Sequence, residues 1–97
     1  MAWKALATPR YNRRRKKLSP EVRRRLTREE DKLLEHPYKG DRKRGALGDI
    51  WVEKFKAQND QYLVAYLLDE KARAVTFLDI GQHENFYRDL EEHVKNR

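Results

Sequence analysis

The 97 residues include 23 lysines and arginines, 16 aspartates and glutamates, and no cysteine, which gives a formal net charge of +7 at pH 7. The lack of cysteine excludes disulfides and thiolate metal sites, and no apolar run approaches the roughly 20 residues of a membrane-spanning helix. The length predicts one domain, residues 1–97, with one modest core, and the expected location is cytoplasmic.

The positive charge is concentrated in the first half of the chain. Residues 1–47 hold 16 basic and 6 acidic side chains, whereas residues 48–97 hold 7 basic and 10 acidic ones. A basic half on a small chain favours a polyanionic partner, namely a nucleic acid, an anionic membrane surface or an acidic protein. The alternative is a charged surface that only maintains solubility.

The first half predicts one strand and two helices. Residues 3–8 alternate loosely, with Trp3, Ala5 and Ala7 on one side of the chain, and a proline follows, which is typical of a short strand. Residues 11–18 favour a short, highly basic helix. Ser19-Pro20-Glu21 is a helix start, because serine caps free backbone N–H groups and proline fits the first turn. That helix should end at His36-Pro37, because the residue before a proline is disfavoured in the helical region.

The second half predicts three strands and a final helix. Residues 38–48 form a basic loop that matches no nucleotide-binding motif. The apolar pattern then has a period of two from Asp49, and short turns separate that strand from strands at residues 62–68 and 74–80, which indicates an antiparallel meander. Apolar residues at a spacing of four indicate a C-terminal helix with the core positions Phe86, Leu90 and Val94. The predicted fold class is α+β, in the order β-α-α-β-β-β-α, with a mainly antiparallel sheet packed on the N-terminal helices and a C-terminal helix.

Two pairs of residues carry candidate chemistry. Lys54 and Lys56 lie on one face of a strand, about 7 Å apart, and can reach one phosphodiester; the alternative is a pair of lysines that protects a sheet edge. After the strand that ends at Gly81, His83 and Tyr87 are four residues apart and share a face if the helix begins near His83. Histidine titrates near neutral pH, which suits an acid or a base. The three histidines, at positions 36, 83 and 93, lack metal-ligand spacing, and no metal or cofactor is predicted.

With these features the chain resembles the RelE/ParE superfamily of toxins from bacterial type II toxin–antitoxin pairs. The resemblance covers nearly the whole chain. It lies in the size, the basic charge, the order of elements, the aromatic-rich strand Tyr62-Leu63-Val64-Ala65-Tyr66, and Ile80-Gly81-Gln82-His83 followed by Tyr87. It implies a small RelE-like fold. For the RelE branch it also implies a ribosome-dependent endoribonuclease that cleaves messenger RNA and is neutralised by a cognate antitoxin.

The resemblance also implies roles for individual residues. Lys54 and Lys56 match the paired strand lysines of the RelE branch, His83 matches the residue after the strand glycine, and Tyr87 matches the nearby aromatic. Cleavage would then use the RNA's own 2′-hydroxyl as nucleophile, without a metal, and cationic side chains would stabilise the negatively charged transition state. The basic first half would contact RNA backbone; the candidate contacts are Arg13, Arg14, Arg15, Arg24, Arg42, Lys43 and Arg44.

One position departs from the RelE pattern. Many members of that branch carry an arginine after the first tyrosine of the central strand, where this chain has Leu63. The candidate substitutes are Arg42, Lys43, Arg44 and Arg73. The alternative function is that of the ParE branch, whose members poison DNA gyrase without a nuclease site. A plain RNA-binding module is a third hypothesis, disfavoured because no pair of base-stacking aromatics is predicted on an exposed strand.

Overall fold

A computed structural model describes residues 2–45 and 48–82, which form two helices and one five-stranded sheet. The elements are β1 Lys4–Ala7, α1 Pro9–Lys16, α2 Pro20–Glu35, a 3₁₀ turn Pro37–Lys39, β2 Asp41–Gly45, β3 Gly48–Ala57, β4 Asp60–Asp69 and β5 Ala74–Gln82. The strand order is β1-β5-β4-β3-β2, and every pair is antiparallel except the parallel pair β1–β5. The predicted α+β class with a mainly antiparallel sheet is therefore confirmed. The predicted C-terminal helix lies outside the described residues.

Side-chain caps set the starts of both helices, and a proline sets the end of α2. The hydroxyl of Thr8 accepts a hydrogen bond from the N–H of Tyr11, and that of Ser19 accepts one from the N–H of Val22, so each helix has a side-chain cap at its start. Helix α2 ends where predicted, because His36 precedes a proline and adopts a non-helical conformation. Neither described helix is long and apolar enough to cross a membrane.

The prediction of a loop over residues 38–48 is wrong for Asp41–Gly45, which forms the edge strand β2. In this strand Arg42 pairs with Trp51 and Lys43 pairs with Ile50. An edge strand needs only one row of backbone hydrogen bonds, and its side chains face solvent, so it shows no apolar alternation. Charges on such an edge also discourage pairing with other chains.

The core has two parts, one on each face of the sheet. On one face, which we call the helix face, the buried residues of α1 and α2 pack on the sheet; this cluster includes Tyr11, Val22, Leu26, Leu33, Phe55, Tyr62, Val64, Tyr66, Val75, Phe77 and Ile80. The other face, which we call the second face, has a smaller buried cluster formed by Val52, Leu63, Ala65 and Leu78. Strand β4 contributes to both clusters, and its prediction as a central strand is confirmed.

Hydrogen bonds from Tyr66 fix the segment between α2 and β2. The buried hydroxyl of Tyr66 donates to the carbonyl of Pro37 at 2.8 Å and accepts from the N–H of Gly40 at 3.0 Å. A β-carbon on Gly40 would lie only 2.5 Å from that hydroxyl, so the close approach requires glycine. Burial raises the pKa of Tyr66 to about 12, and the phenol therefore stays protonated as a donor.

A buried carboxylate network reinforces the same segment. Glu29 is 2% exposed and accepts hydrogen bonds from Arg25 at 2.8 Å and from Lys39 at 3.0 Å. Burial raises the pKa of Glu29, but these two partners outweigh burial and leave the pKa below its usual value. Lys39 also lies 2.8 Å from Glu53 of β3, so one ammonium group joins α2 to the sheet.

We expect Tyr66→Phe to lower the free energy of unfolding by about 1–3 kcal/mol, because the carbonyl of Pro37 and the N–H of Gly40 lose a buried partner. The matched control is Tyr62→Phe, since Tyr62 is also buried but its hydroxyl has no hydrogen bond to another described residue. Urea unfolding measures both variants. Equal losses for the two would contradict the assigned role of the Tyr66 hydroxyl.

Candidate functional site

The register of three adjacent strands brings the predicted lysine pair to the end of β5. Lys54 of β3 pairs with Leu63 of β4, and Leu63 pairs with Gly81 of β5, so the three residues form one row across the sheet. Neighbouring strands lie about 4.8 Å apart, which puts the α-carbons of Lys54 and Gly81 about 10 Å from each other. The strand that leads into His83 therefore ends beside the lysines.

Both lysines face away from α1 and α2. Lys54 and Lys56 alternate with Phe55, which is buried in the helix-face cluster, so both lie on the second face with Val52. The predicted division of this strand into two faces is confirmed. Both side chains are exposed, and neither forms an ion pair with another described residue, so both are available to an external anion.

The edge-protection alternative for the lysines also has a physical basis. Strand β2 pairs with β3 only as far as Val52. Beyond that residue no described strand pairs with the outer side of β3, so Lys54 and Lys56 lie on an open edge of the sheet. Lysines in such a position discourage pairing with other chains, and this role is compatible with anion binding.

Leu63, in the same row, is a core residue. Its side chain is fully buried among Val52, Ala65 and Leu78. The position where the resemblance to many RelE members implies an arginine is therefore occupied by a core leucine, which supplies no charge to the row between Lys54 and Gly81.

The predicted substitutes for that arginine lie elsewhere. Arg42 forms an ion pair with Asp49 and stacks over Trp51, on the helix face. Lys43 and Arg44 belong to the same edge strand and pair with residues four and five positions before Lys54, at least about 13 Å along β3. Arg73 stacks over Trp3 and precedes β5, about 26 Å from Gly81 at the rise of a strand.

A groove on the other side of the strand end contains basic groups that sequence reasoning did not place there. Its volume is about 660 Å³, and its lining includes Arg14, Lys17, Asp60, Gly81 and Gln82. Arg14 was predicted as an RNA contact, whereas Lys17 was missed. Cationic side chains therefore border the end of β5 on the helix side, and Lys54 and Lys56 border it on the second face.

Asp79 holds one of these cations in place. This aspartate is fully buried, and its carboxylate lies 3.2 Å from Nε of Arg14 and accepts a hydrogen bond from Nε of Arg10 at 3.3 Å. Buried carboxylates need partners of opposite charge. An aspartate within an otherwise apolar strand was the sequence signal that could have indicated this contact with α1.

The seven predicted RNA contacts do not form one surface. Arg13 and Arg24 are exposed. Arg15 instead forms a bidentate ion pair with Glu30, which also accepts a hydrogen bond from the hydroxyl of Tyr11. The α1 and α2 residues lie on the helix side, while Arg42, Lys43 and Arg44 belong to β2, at the edge of the sheet opposite β1. His83 and Tyr87 lie outside the described residues, and no group of acidic or histidine side chains among residues 2–45 and 48–82 is arranged to hold a metal.

We expect Leu63→Arg to lower the free energy of unfolding by at least about 3 kcal/mol, because it would bury a charge among apolar side chains without a partner. Leu63→Met keeps the volume and should cost less than about 1.5 kcal/mol. Thermal and urea unfolding measure both variants. An arginine variant as stable as the methionine variant would show that this position is open to the solvent or to a partner charge.

Comparisons with known proteins agree with this fold. The family described as ParE-like toxin of type II bacterial toxin–antitoxin system matches residues 5–91. No curated protein sequence matches the chain. A free E. coli RelE toxin double mutant has a TM-score of 0.77 at 21% identity, covering 97% of this chain and 99% of that one. The intact E. coli RelBE toxin–antitoxin complex gives 0.70 at 24% identity (86% and 99% covered), and the Mycobacterium tuberculosis RelBE2 toxin–antitoxin complex gives 0.73 at 18% identity (86% and 100% covered).

Proposed function

This chain belongs to the ParE-like toxin family of type II bacterial toxin–antitoxin systems, and we propose that it is a ribosome-dependent endoribonuclease that cleaves messenger RNA, as its resemblance to the RelE branch implies. The observation that carries the proposal is the row Lys54–Leu63–Gly81, because it brings Lys54 and Lys56, which have no ion-pair partner among the described residues, beside the strand end that precedes His83. A cognate antitoxin neutralises the toxin. Support for this partner comes from two of the similar structures, which are RelBE complexes.

The cleavage proceeds by attack of the 2′-hydroxyl on the adjacent phosphate. The bond from O2′ to phosphorus forms, the bond from phosphorus to O5′ breaks, a base takes the hydroxyl proton, and an acid protonates O5′. His83 serves as acid or base, and Tyr87 stacks a base or orients the phosphate. Lys54 and Lys56 stabilise the negative charge that develops on the phosphate oxygens.

Lys17 and Arg14 of the groove supply the positive charge that an arginine at position 63 would have supplied. Lys17 is exposed, borders the groove beside Gly81 and has no described ion-pair partner. The charge of Arg14 is partly offset by Asp79, so Lys17 is the stronger of the two candidates. RNA bound at the strand end would then have cations on both sides, and its affinity would fall steeply with salt.

A second candidate function is a non-enzymatic toxin that poisons DNA gyrase. The observation that favours it is Leu63, since a fully buried leucine occupies the place of a phosphate-stabilising charge. A gyrase poison needs neither the lysine pair nor His83. The two functions therefore differ in which variants abolish toxicity and in which nucleic acid is damaged.

We expect the double variant Lys54→Ala/Lys56→Ala to cleave ribosome-bound message at least about 100-fold more slowly, because both cations that face the transition state are removed. The matched control is Lys71→Ala, an exposed lysine in the turn between β4 and β5. Primer extension on messages from translating ribosomes measures the rate. A double variant that cleaves as fast as the control would exclude the lysines from catalysis.

A His83→Ala/Tyr87→Ala double variant should lose toxicity on expression, because it removes the acid or base and the aromatic partner of the RNA. Growth after induction and the integrity of message and chromosomal DNA are measured together. Full toxicity with cleaved message would show that the residues are wrongly assigned. DNA damage with intact message would reject the nuclease in favour of the gyrase poison.

A further inference from the structure

Tyr38 lies in a cluster of three aromatic residues on the helix side of the sheet. It is 53% exposed, the highest value for an aromatic among residues 2–45 and 48–82. Its ring centroid lies 5.8 Å from that of Trp3 and 5.6 Å from that of Trp51, with the ring planes at 85° and 71°. These three residues, which we call the aromatic cluster, come from distant segments, so no stretch of sequence shows them together.

The segment that carries Tyr38 is held on both sides. The hydroxyl of Tyr66 donates to the carbonyl of Pro37 at 2.8 Å and accepts from the N–H of Gly40 at 3.0 Å, one residue before and two residues after Tyr38. A single exposed aromatic is common on protein surfaces, but an aromatic on a fixed backbone loses less conformational entropy when it binds a partner. The ring of Tyr38 is therefore preorganised for a contact.

Two arginines flank the aromatic cluster. The guanidinium carbon of Arg73 lies 5.6 Å from the ring centroid of Trp3, and that of Arg42 lies 5.9 Å from the ring centroid of Trp51. Arg42 also pairs with Asp49, whereas Arg73 has no ion-pair partner among the described residues. A guanidinium group that lies over an aromatic ring still has N–H donors for a second partner. The cluster therefore presents positive charge beside its exposed ring.

The chemistry of the aromatic cluster matches that of single-stranded RNA. Partial burial and the carboxylate of Glu70 raise the pKa of Tyr38, so the phenol stays neutral and adds no negative charge beside a phosphate. Unpaired bases stack on aromatic rings, and guanidinium groups bind phosphates through several N–H donors. An exposed neutral ring flanked by two arginines offers both kinds of contact.

The aromatic cluster lies far from the proposed site of cleavage. Arg73, which stacks over Trp3, precedes β5, and Gly81 lies about 26 Å away at the rise of a strand. The nucleotides on either side of a cut at the strand end therefore do not reach Tyr38. RNA that contacts the aromatic cluster of a ribosome-bound chain belongs to the ribosome rather than to the codon that is cut.

We infer that Tyr38 stacks on an unpaired base of ribosomal RNA, and that Arg42 and Arg73 contact phosphates beside that base. This inference rests on the proposed function, which supplies the ribosome. It adds a contact with a base to the backbone contacts that the basic residues make. The aromatic cluster thereby helps to hold the chain on the ribosome, at a distance from the groups that act on the message.

Binding of the free chain to purified bacterial ribosomes without message tests the inference, because no cleavage intervenes. Tyr38→Ala should weaken binding by about tenfold, since it removes the stacking surface. Tyr38→Phe keeps the ring and should bind like the natural chain. The matched control is Leu6→Ala, since Leu6 is also 53% exposed but lies on β1; it should bind like the natural chain. Urea unfolding verifies that each variant is folded.

Chemical probing of the ribosomal RNA identifies what the ring contacts. At saturating concentration, the natural chain and the Tyr38→Phe variant should protect one unpaired base from modification. The Tyr38→Ala variant, at its own saturating concentration, should leave that base reactive while the other protections remain. This measurement separates the loss of one stacked base from a general loss of binding.

Arg73→Gln gives a second, independent test, because it removes a charge and leaves Tyr38 in place. The slope of log affinity for ribosomes against log salt concentration should fall in magnitude by about 0.7, as expected for the loss of one phosphate contact. The matched control is Lys71→Gln, an exposed lysine in the same turn between β4 and β5, which should keep the natural slope. An unchanged slope for Arg73→Gln would reject the phosphate contact.

Each other outcome overturns the inference in a distinguishable way. A Tyr38→Ala variant that binds ribosomes as tightly as the natural chain rejects the stacking and leaves the proposed function intact. A Tyr38→Phe variant as weak as the Tyr38→Ala variant assigns the contact to the hydroxyl and rejects the role of the ring. Weaker binding of the Tyr38→Ala variant without a change at any base assigns the cluster to a ribosomal protein. A natural chain that does not bind ribosomes rejects both the stacking and the proposed function.

Discussion

The pairing of β4 with both β3 and β5 is the constraint on which the site depends. Residues 62–66 are buried on both faces of the sheet, and each large side chain among them gains about 1.5–3 kcal/mol from burial. A shift of one residue would turn Lys54 toward the helix-face core and Phe55 toward solvent. Because such a shift costs much of the core, packing selects the register of the strand pairing that holds Lys54 in line with Gly81.

Many of the basic residues have structural partners, so the net charge overstates the surface available to RNA. Arg15 is held by Glu30, Arg25 by Glu29, and Arg10 and Arg14 by Asp79. The contact of Arg15 joins α1 to α2, those of Arg10 and Arg14 join α1 to β5, and the contact of Arg25 lies within α2. The cations that remain without a described partner near the end of β5 are Lys17, Lys54 and Lys56, and the proposed chemistry depends on this short set.

The resemblance predicted the family, and α1 begins at Pro9, two residues before its predicted start at Tyr11. The sequence predicted the fold class, the start of α2 and the two faces of β3, because caps, prolines and alternating apolar residues act locally. It did not predict β2, since a charged edge strand has no apolar pattern. The contacts of Asp79 with α1 and of Tyr66 with Gly40 join residues distant in the chain, and no local pattern reports them. At Leu63, apolar residues on both sides predicted a buried strand, and the structure shows core packing where the resemblance implies a charge. The roles of His83 and Tyr87 stay predictions.

The proposed cleavage of RNA by attack of its own 2′-hydroxyl depends on one oxygen of the substrate, and a substitution at that oxygen tests it. A ribosome-bound message with a 2′-methoxy group at the nucleotide before the cut is compared with the natural message. We expect the natural message to be cut to a 2′,3′-cyclic phosphate and a 5′-hydroxyl, and the 2′-methoxy message to stay intact. Equal cleavage of both messages, or cleavage of neither by a chain that is still toxic, would contradict this mechanism.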